Sequence, residues 1–230
     1  MKKSIICLVL TLVMTLALSS CSETEGEYKI NDNVKIVLND ESVTEITDTG
    51  SDSTSIRKKN VKVKFELEEG GAFVMELYPE YAPDTVKNFL NLVHDEFYSG
   101  ITFHRVIPGF MAQAGDPEGT GMGGSEEKIK GEFASNGYDK NTLKHERGTV
   151  SMARTNDPDS ASSQFFICFE EAPHLDGEYA AFGKVVYGMR NVDKIAESAV
   201  DENDKPLIDV VIKSAKIISD SEFKKYPKED

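Results

Sequence analysis

From Val61 onward, apolar and polar positions alternate. Val61, Val63, Phe65 and Leu67 are interleaved with Lys62, Lys64 and Glu66, and that two-residue period predicts a half-buried strand. Gly70-Gly71 predicts a turn, and 72–78 the strand that pairs back across it. Ala82-Pro83-Asp84 opens a predicted helix, which puts Val86, Phe89, Leu90 and Val93 on one face. Short strands are predicted over 102–107 and 110–114, with a bend at Pro108-Gly109 between them, and again over 149–153, 164–169 and 181–186. A second short helix is predicted over 189–198, followed by a long alternating strand over 207–218. Many short strands with two separated helices predict a mainly β domain over 60–219, either a barrel with helices over its ends or a sandwich. In a barrel the first and last strands, both regular, would pair and remove the sheet edges.

The chain ahead of this domain has a different pattern. Met1-Lys2-Lys3 is followed by an apolar run from Ile5 to Leu18, broken only by Thr11 and Thr15. The run lacks a polar face and is shorter than the ~20 residues of a membrane span, so it reads as the apolar region of a signal peptide. It ends in Leu18-Ser19-Ser20-Cys21, which resembles the lipobox of bacterial lipoproteins. The resemblance implies a lipoprotein signal peptide over 1–20 and acylation of Cys21. It also implies a location outside the cytoplasm, at the bacterial cell membrane, held by two or more acyl chains. Residues 21–59 are rich in Ser, Thr, Asp, Glu and Asn, with no aromatic after Tyr28, and read as a flexible acidic tether. Val34–Leu38 is the exception, a candidate strand. Residues 220–230 read as a charged tail.

Composition narrows the function. Of 230 residues 39% are hydrophobic, enough for a substantial core, and the net charge of -14 argues against a nucleic-acid binder, which needs a basic face. Two of the three cysteines lie in the first 21 residues, which excludes a disulfide framework or a cysteine zinc site in the folded part. Gly119, Gly121 and Gly124 satisfy G-x-G-x-x-G. However, Asp116-Pro117-Glu118 precedes them in place of a strand, and Ser125-Glu126-Glu127 follows, so the segment reads as a surface loop. His94, His104, His145 and His174 share no metal-ligand spacing, and no G-x-S-x-G elbow is present. Cys168, inside Phe165-Phe166-Ile167-Cys168-Phe169, reads as a small buried hydrophobe.

The string Phe103-His104-Arg105-Val106-Ile107-Pro108-Gly109-Phe110-Met111-Ala112-Gln113-Ala114-Gly115-Asp116 concentrates the chemistry. Arg105 sits among apolar neighbours, so its guanidinium either pairs with a carboxylate in the core or faces a cleft. Phe110 and Met111 are adjacent and point to opposed faces of a regular strand. Only a bend at Pro108-Gly109 would let both share a space with Arg105.

This string resembles the signature of the cyclophilin-type peptidyl-prolyl isomerases. Leu143-Lys144-His145, Gly148 to Arg154, Ser163 to Ile167, Leu175-Asp176-Gly177 and Phe182-Gly183-Lys184-Val185 follow at family spacing, so the likeness runs over about 61–218. The resemblance implies a closed eight-stranded antiparallel barrel capped by two α-helices. It implies Arg105 as the catalytic arginine, with Gln113 bonding the substrate backbone. Phe110, Met111, Phe166 and Leu175 would line a proline pocket, and Ala153, Arg154 and Gln164 the groove for the residues preceding proline. Two positions depart from the family pattern. His174 stands where Trp is frequent, and Tyr179, a further substrate-binding position, stands where His is frequent. No cofactor or metal is implied, and the expected form is a monomer. The expected partners are unfolded or proline-containing exported polypeptides, with the membrane reached through the lipid anchor. The alternative reading is a chaperone module that binds proline peptides with incidental turnover.

Overall fold

The computed structural model describes residues 26–31, 34–38, 43–47 and 60–227. The expected signal peptide and the expected lipidation site, Cys21, lie outside them. Within 21–59, β1 (Gly26–Asn31), β2 (Val34–Leu38) and β3 (Val43–Thr47) form an antiparallel three-stranded sheet in the order β1-β2-β3. The candidate strand at 34–38 is therefore its central member, and the segment read as a tether holds two further strands.

The main sheet begins with a hairpin of β4 (Val61–Leu67) and β5 (Ala72–Leu77), turned at Gly70 and Gly71 with φ of 92° and 98°. Those angles are cheap for glycine alone. Phe65 and Phe73 face each other across the hairpin with rings stacked 5.1 Å apart. Helix α1 (Pro83–His94) follows. Ala82 offers it no side-chain cap, and the carboxylate of Glu132 accepts the amides of Asp84 at 3.1 Å and Thr85 at 2.8 Å instead. A residue distant in sequence thus satisfies the free donors of the helix start. The buried face of α1 carries Val86, Phe89, Leu90 and Val93, and Phe89 packs against Phe65, Tyr98, Phe165 and Phe182. Each such side chain contributes roughly 1.5–3 kcal/mol by leaving water.

The remaining strands are β6 (Arg105–Ile107), β7 (Met111–Ala114), β8 (Thr149–Met152), β9 (Phe165–Cys168), β10 (Ala181–Tyr187) and β11 (Ile212–Ile218). Helix α2 (Met189–Ala196) buries Val192 and Ile195. The sheet order is β11-β4-β5-β10-β8-β9-β7-β6, with every pairing antiparallel.

This order corrects the expected closed barrel. The architecture is an open half-barrel of eight strands. The first and last strands of the domain, β4 and β11, do pair, but that pairing leaves β11 as one edge and β6 as the other. No ladder joins those edges. They are linked by an isolated bridge from Thr102 to Val211 and by single bonds such as Phe103 N–H to the Val210 carbonyl, 2.9 Å. The reason is local. The expected strand at 207–218 starts only at Ile212, because Asp201 Oδ1 accepts the amides of Asn203 and Lys205 and turns the chain into a loop. Leu207 and Ile208 stand out from that loop, 67% and 74% exposed. On the other edge, β6 is cut to three residues by the Pro108-Gly109 bend.

Part of the expected C-terminal tail is also ordered against the sheet. Ser219 caps a short helix α3 (Asp220–Phe223), Asp220 pairs with Lys62 at 2.8 Å, and Tyr226 packs on Tyr187.

Candidate active site

The two faces of β6, β7, β8 and β9 serve different purposes. Val106, Ala112, Ala114, Val150, Met152, Phe165 and Ile167 point into the main core. On the opposite face Arg105 stands across from Gln113, Gln113 across from Phe166, and Phe166 across from Ser151. Residues directly opposite in a ladder share a face, so this row crosses four strands. One step along lie Ile107, Met111 and Cys168. Met111, Phe166, Cys168, Ala172 and Leu175 form a second apolar cluster, against which Phe110, Ala153 and Tyr179 pack.

Above this cluster lies a cleft of about 230 Å³ lined by Arg105, Phe110, Met111, Gln113, Ala153, Arg154, Phe166, Leu175 and Tyr179. Phe110 and Met111 both reach it, because Gly109 turns with φ 73° and rotates Phe110 out of strand alternation. Leu175 comes from a single 3-10 turn, Pro173–Leu175, and Tyr179 follows it to meet Phe166 edge-on at 5.9 Å. His174 stands at the rim with its ring 5.6 Å from that of Phe110. Arg105 is not a core arginine. Its side chain is 46% exposed, with Nε 3.7 Å from Asp204 Oδ2.

Gln164 is the one expected groove residue that does not line the cleft. Its carbonyl oxygen accepts from Gln113 Nε2 at 2.7 Å, and its amide donates to the carbonyls of Gly121 and Gly123. It therefore ties the Gly-rich loop to the site. That loop is organised from within. Asp116 accepts the amides of Glu118, Thr120, Gly121 and Gly123. Burial works to raise this carboxyl's pKa, but those amides outweigh it and hold the group below the ordinary carboxylate range. They are the donors a phosphate would need, and the protein's own carboxylate has taken them.

Three neighbours of the site were not among the expected site residues. Asp204 meets Arg105 from a loop far along the chain, and Phe133 lies under the Arg154 guanidinium at 5.1 Å. The third is the support beneath Phe166. His145 stacks on that ring at 6.0 Å, with Nδ1 3.1 Å from Asp176 and Nε2 3.0 Å from Ser151 Oγ. Serine, histidine and carboxylate are in hydrogen-bond sequence here. Ser151 is fully buried, however, so the set braces the cleft floor and presents no nucleophile. Burial pushes the pKa of His145 down despite Asp176, and burial does the same to His104. Cys168 is a free, buried thiol pushed up to about 12, chiefly by burial. Among the described residues, no group of three or more His, Cys, Asp or Glu side chains is placed to hold a metal ion.

An open half-barrel with an apolar cleft lined by two guanidiniums, of Arg105 and Arg154, and one carboxamide, of Gln113, defines a site shaped for a short apolar group with polar neighbours. The comparisons specify the class. The family model for cyclophilin type peptidyl-prolyl cis-trans isomerases matches residues 62–217, and the chain belongs to that family of enzymes. It is 45% identical over 135 residues to a peptidyl-prolyl cis-trans isomerase of Helicobacter pylori strain J99, covering 58% of this chain and 80% of that one. It is 50% identical over 125 residues to peptidyl-prolyl cis-trans isomerase B of Bacillus subtilis strain 168, covering 54% and 83%. A Cryptosporidium parvum cyclophilin crystal structure superposes with a TM-score of 0.64 at 34% identity, covering 70% of this chain and 99% of that one.

Proposed function

We propose that the cleft accelerates Xaa-Pro rotation by stabilising the twisted amide, with Arg105 as the catalytic donor and Gln113 holding the substrate backbone. Rotation about an amide meets a barrier of ~18–20 kcal/mol because the C–N bond is partly double. At the twisted geometry resonance is lost and the proline nitrogen regains a lone pair. A donor aimed at that nitrogen binds the twisted state more strongly than either planar state and so lowers the barrier. A guanidinium suits this role, because it stays charged and offers five N–H groups. Phe110, Met111, Phe166 and Leu175 hold the proline ring while the acyl side turns. No bond to the enzyme forms. The observation that carries this reading is the cross-strand pair Arg105–Gln113 at the mouth of the apolar cleft. NMR exchange on an Ala-Pro peptide tests it. Arg105→Ala is expected to lose on the order of 10²–10³ in turnover with an unchanged circular dichroism spectrum. Retention of more than half the turnover by the folded variant would overturn it.

The substrates we assign are exported polypeptides folding at the outer face of the cell membrane, with the enzyme held there by acylated Cys21. The support is the Leu18-Ser19-Ser20-Cys21 string after the apolar run. Metabolic labelling with a fatty-acid analogue tests it, and equal labelling of Cys21→Ala would sink it.

A further inference from the structure

Two cations line the cleft, and they are held differently. Arg105 has a carboxylate near it, that of Asp204. Arg154, half-buried, has none within ion-pair distance among the described residues. Its guanidinium is fixed by other means. The Tyr179 ring centroid lies 4.5 Å and the Phe133 centroid 5.1 Å from Arg154 Cζ. Nε and Nη2 donate to the carbonyl of Glu178 at 3.3 Å and 2.9 Å, and Nη1 donates to the carbonyl of Thr155 at 2.8 Å. The carboxylate of Glu178 is turned to Ser135 Oγ instead. Three of the five guanidinium N–H groups are thus used on neutral carbonyls, which leaves two N–H groups and a full positive charge.

This is a preorganised anion receptor in the wall of a peptide cleft. The rings and carbonyls have already taken up the side chain's rotational freedom, so a partner need not pay that cost on binding. A guanidinium with two free N–H groups matches a carboxylate better than any neutral group. The chain carries a net charge of -14, so its overall field opposes an acidic peptide, and the attraction must come from close contact with this guanidinium.

Resting on the isomerase reading of the cleft, we propose that Arg154 is a specificity-determining residue. It favours substrates with an acidic side chain at one of the two positions preceding the proline. The carboxylate engages the guanidinium while Arg105, across the cleft, serves the proline nitrogen. Lysine at the same positions is disfavoured.

The test compares kcat/KM by NMR exchange for peptides with Glu, Gln or Lys at each of the two positions before Pro-Phe. For the intact protein at low salt, Glu is expected to exceed Gln about threefold to tenfold at one position at least, the range of a charge-assisted contact at a part-exposed site. At about 1 M salt the preference should fall below roughly twofold, because ions screen the contact. Arg154→Gln should bring the Glu-to-Gln ratio to about one, Arg154→Lys should keep part of it, and Arg154→Glu should invert the order of Glu and Lys. The ratio is internal to each variant, so a general loss of rate leaves it readable. The salt series on the unmodified protein needs no variant to fold. Equal rates for Glu and Gln at both positions, or a ratio unchanged in Arg154→Gln, would overturn the proposal while leaving the isomerase reading intact. Failure to accelerate any of the peptides would instead sink the reading of the cleft.

Discussion

Asp204 touches the Arg105 segment twice: its carbonyl accepts the Val106 amide at 2.8 Å, and its carboxylate lies 3.7 Å from Arg105 Nε. The first contact serves the open sheet edge, where β6 has no strand beside it. The second places an anion next to the Arg105 guanidinium. Both side chains are near half exposure, so the ion pair is worth at most about 1 kcal/mol. Asp204→Asn keeps the backbone bond and removes the charge. It is expected to change kcat/KM by less than about fivefold and the melting temperature by no more than a few degrees. A loss as large as that of Arg105→Ala would show that the carboxylate, and not the backbone, sets the arginine.

Arg105→Lys separates charge from geometry. An ammonium on a flexible stem keeps the positive charge but not the planar fork. The expected result is a loss of at least tenfold in kcat with a much smaller change in KM, because the contact is strongest when the amide is twisted. Peptide kinetics on the folded variant measure both. Near-normal kcat would mean that charge alone suffices.

Activity and stability should respond to pH differently. Neither a guanidinium nor a carboxamide titrates between pH 6 and 9, so the rate is expected to be nearly flat there. Stability should fall below that range. Burial depresses the pKa values of His104 and His145 from 6.5, so below that pH the unfolded chain takes up protons that the folded chain refuses. Glu132 acts in the opposite sense. Burial raises its pKa above 4.5, so it costs stability at neutral pH and returns it on acidification. Melting temperatures from pH 7 to 5 should therefore decline, and more steeply in Glu132→Gln. A melting temperature that rises on acidification in that variant would contradict the assignment.

Gly115 follows β7, with φ 94°, and a Cβ there would overlap the Ser163 carbonyl oxygen. That oxygen accepts the Tyr98 hydroxyl, a buried donor. Gly115→Ala therefore combines a strained backbone with displacement of a buried hydrogen bond and should cost roughly 2–4 kcal/mol. Urea unfolding measures it, and a cost below about 0.5 kcal/mol would mean that the crossing relaxes freely.

The Cys168 thiol is buried, and its pKa of about 12 leaves almost no thiolate at pH 8. Iodoacetamide applied to the native protein should leave Cys168 unmodified and turnover unchanged, while unfolding in urea should expose it. Peptide mapping by mass spectrometry checks this, and rapid native labelling would place the thiol within reach of the cleft.

Much of this molecule was legible in the order of its residues. Alternation at 61–67, the Gly70-Gly71 turn and the apolar face of α1 are local features, and each became the element its pattern predicts. The residues expected at the cleft were named through the likeness of Phe103–Asp116 and the later blocks to a known family, and all of these but Gln164 line it. Tertiary structure decided what depends on distant segments meeting. The sheet stays open because the 201–209 loop and the Pro108-Gly109 bend shorten two strands that alternation alone would have extended to meet. Phe110 joins Met111 in one cleft because a left-handed glycine breaks the strand's two-residue period. Asp204 beside Arg105, Phe133 beneath Arg154 and Glu132 on α1 carry no mark in the sequence. A side chain's charge and size are local properties, whereas its partner is set by the path of the whole chain.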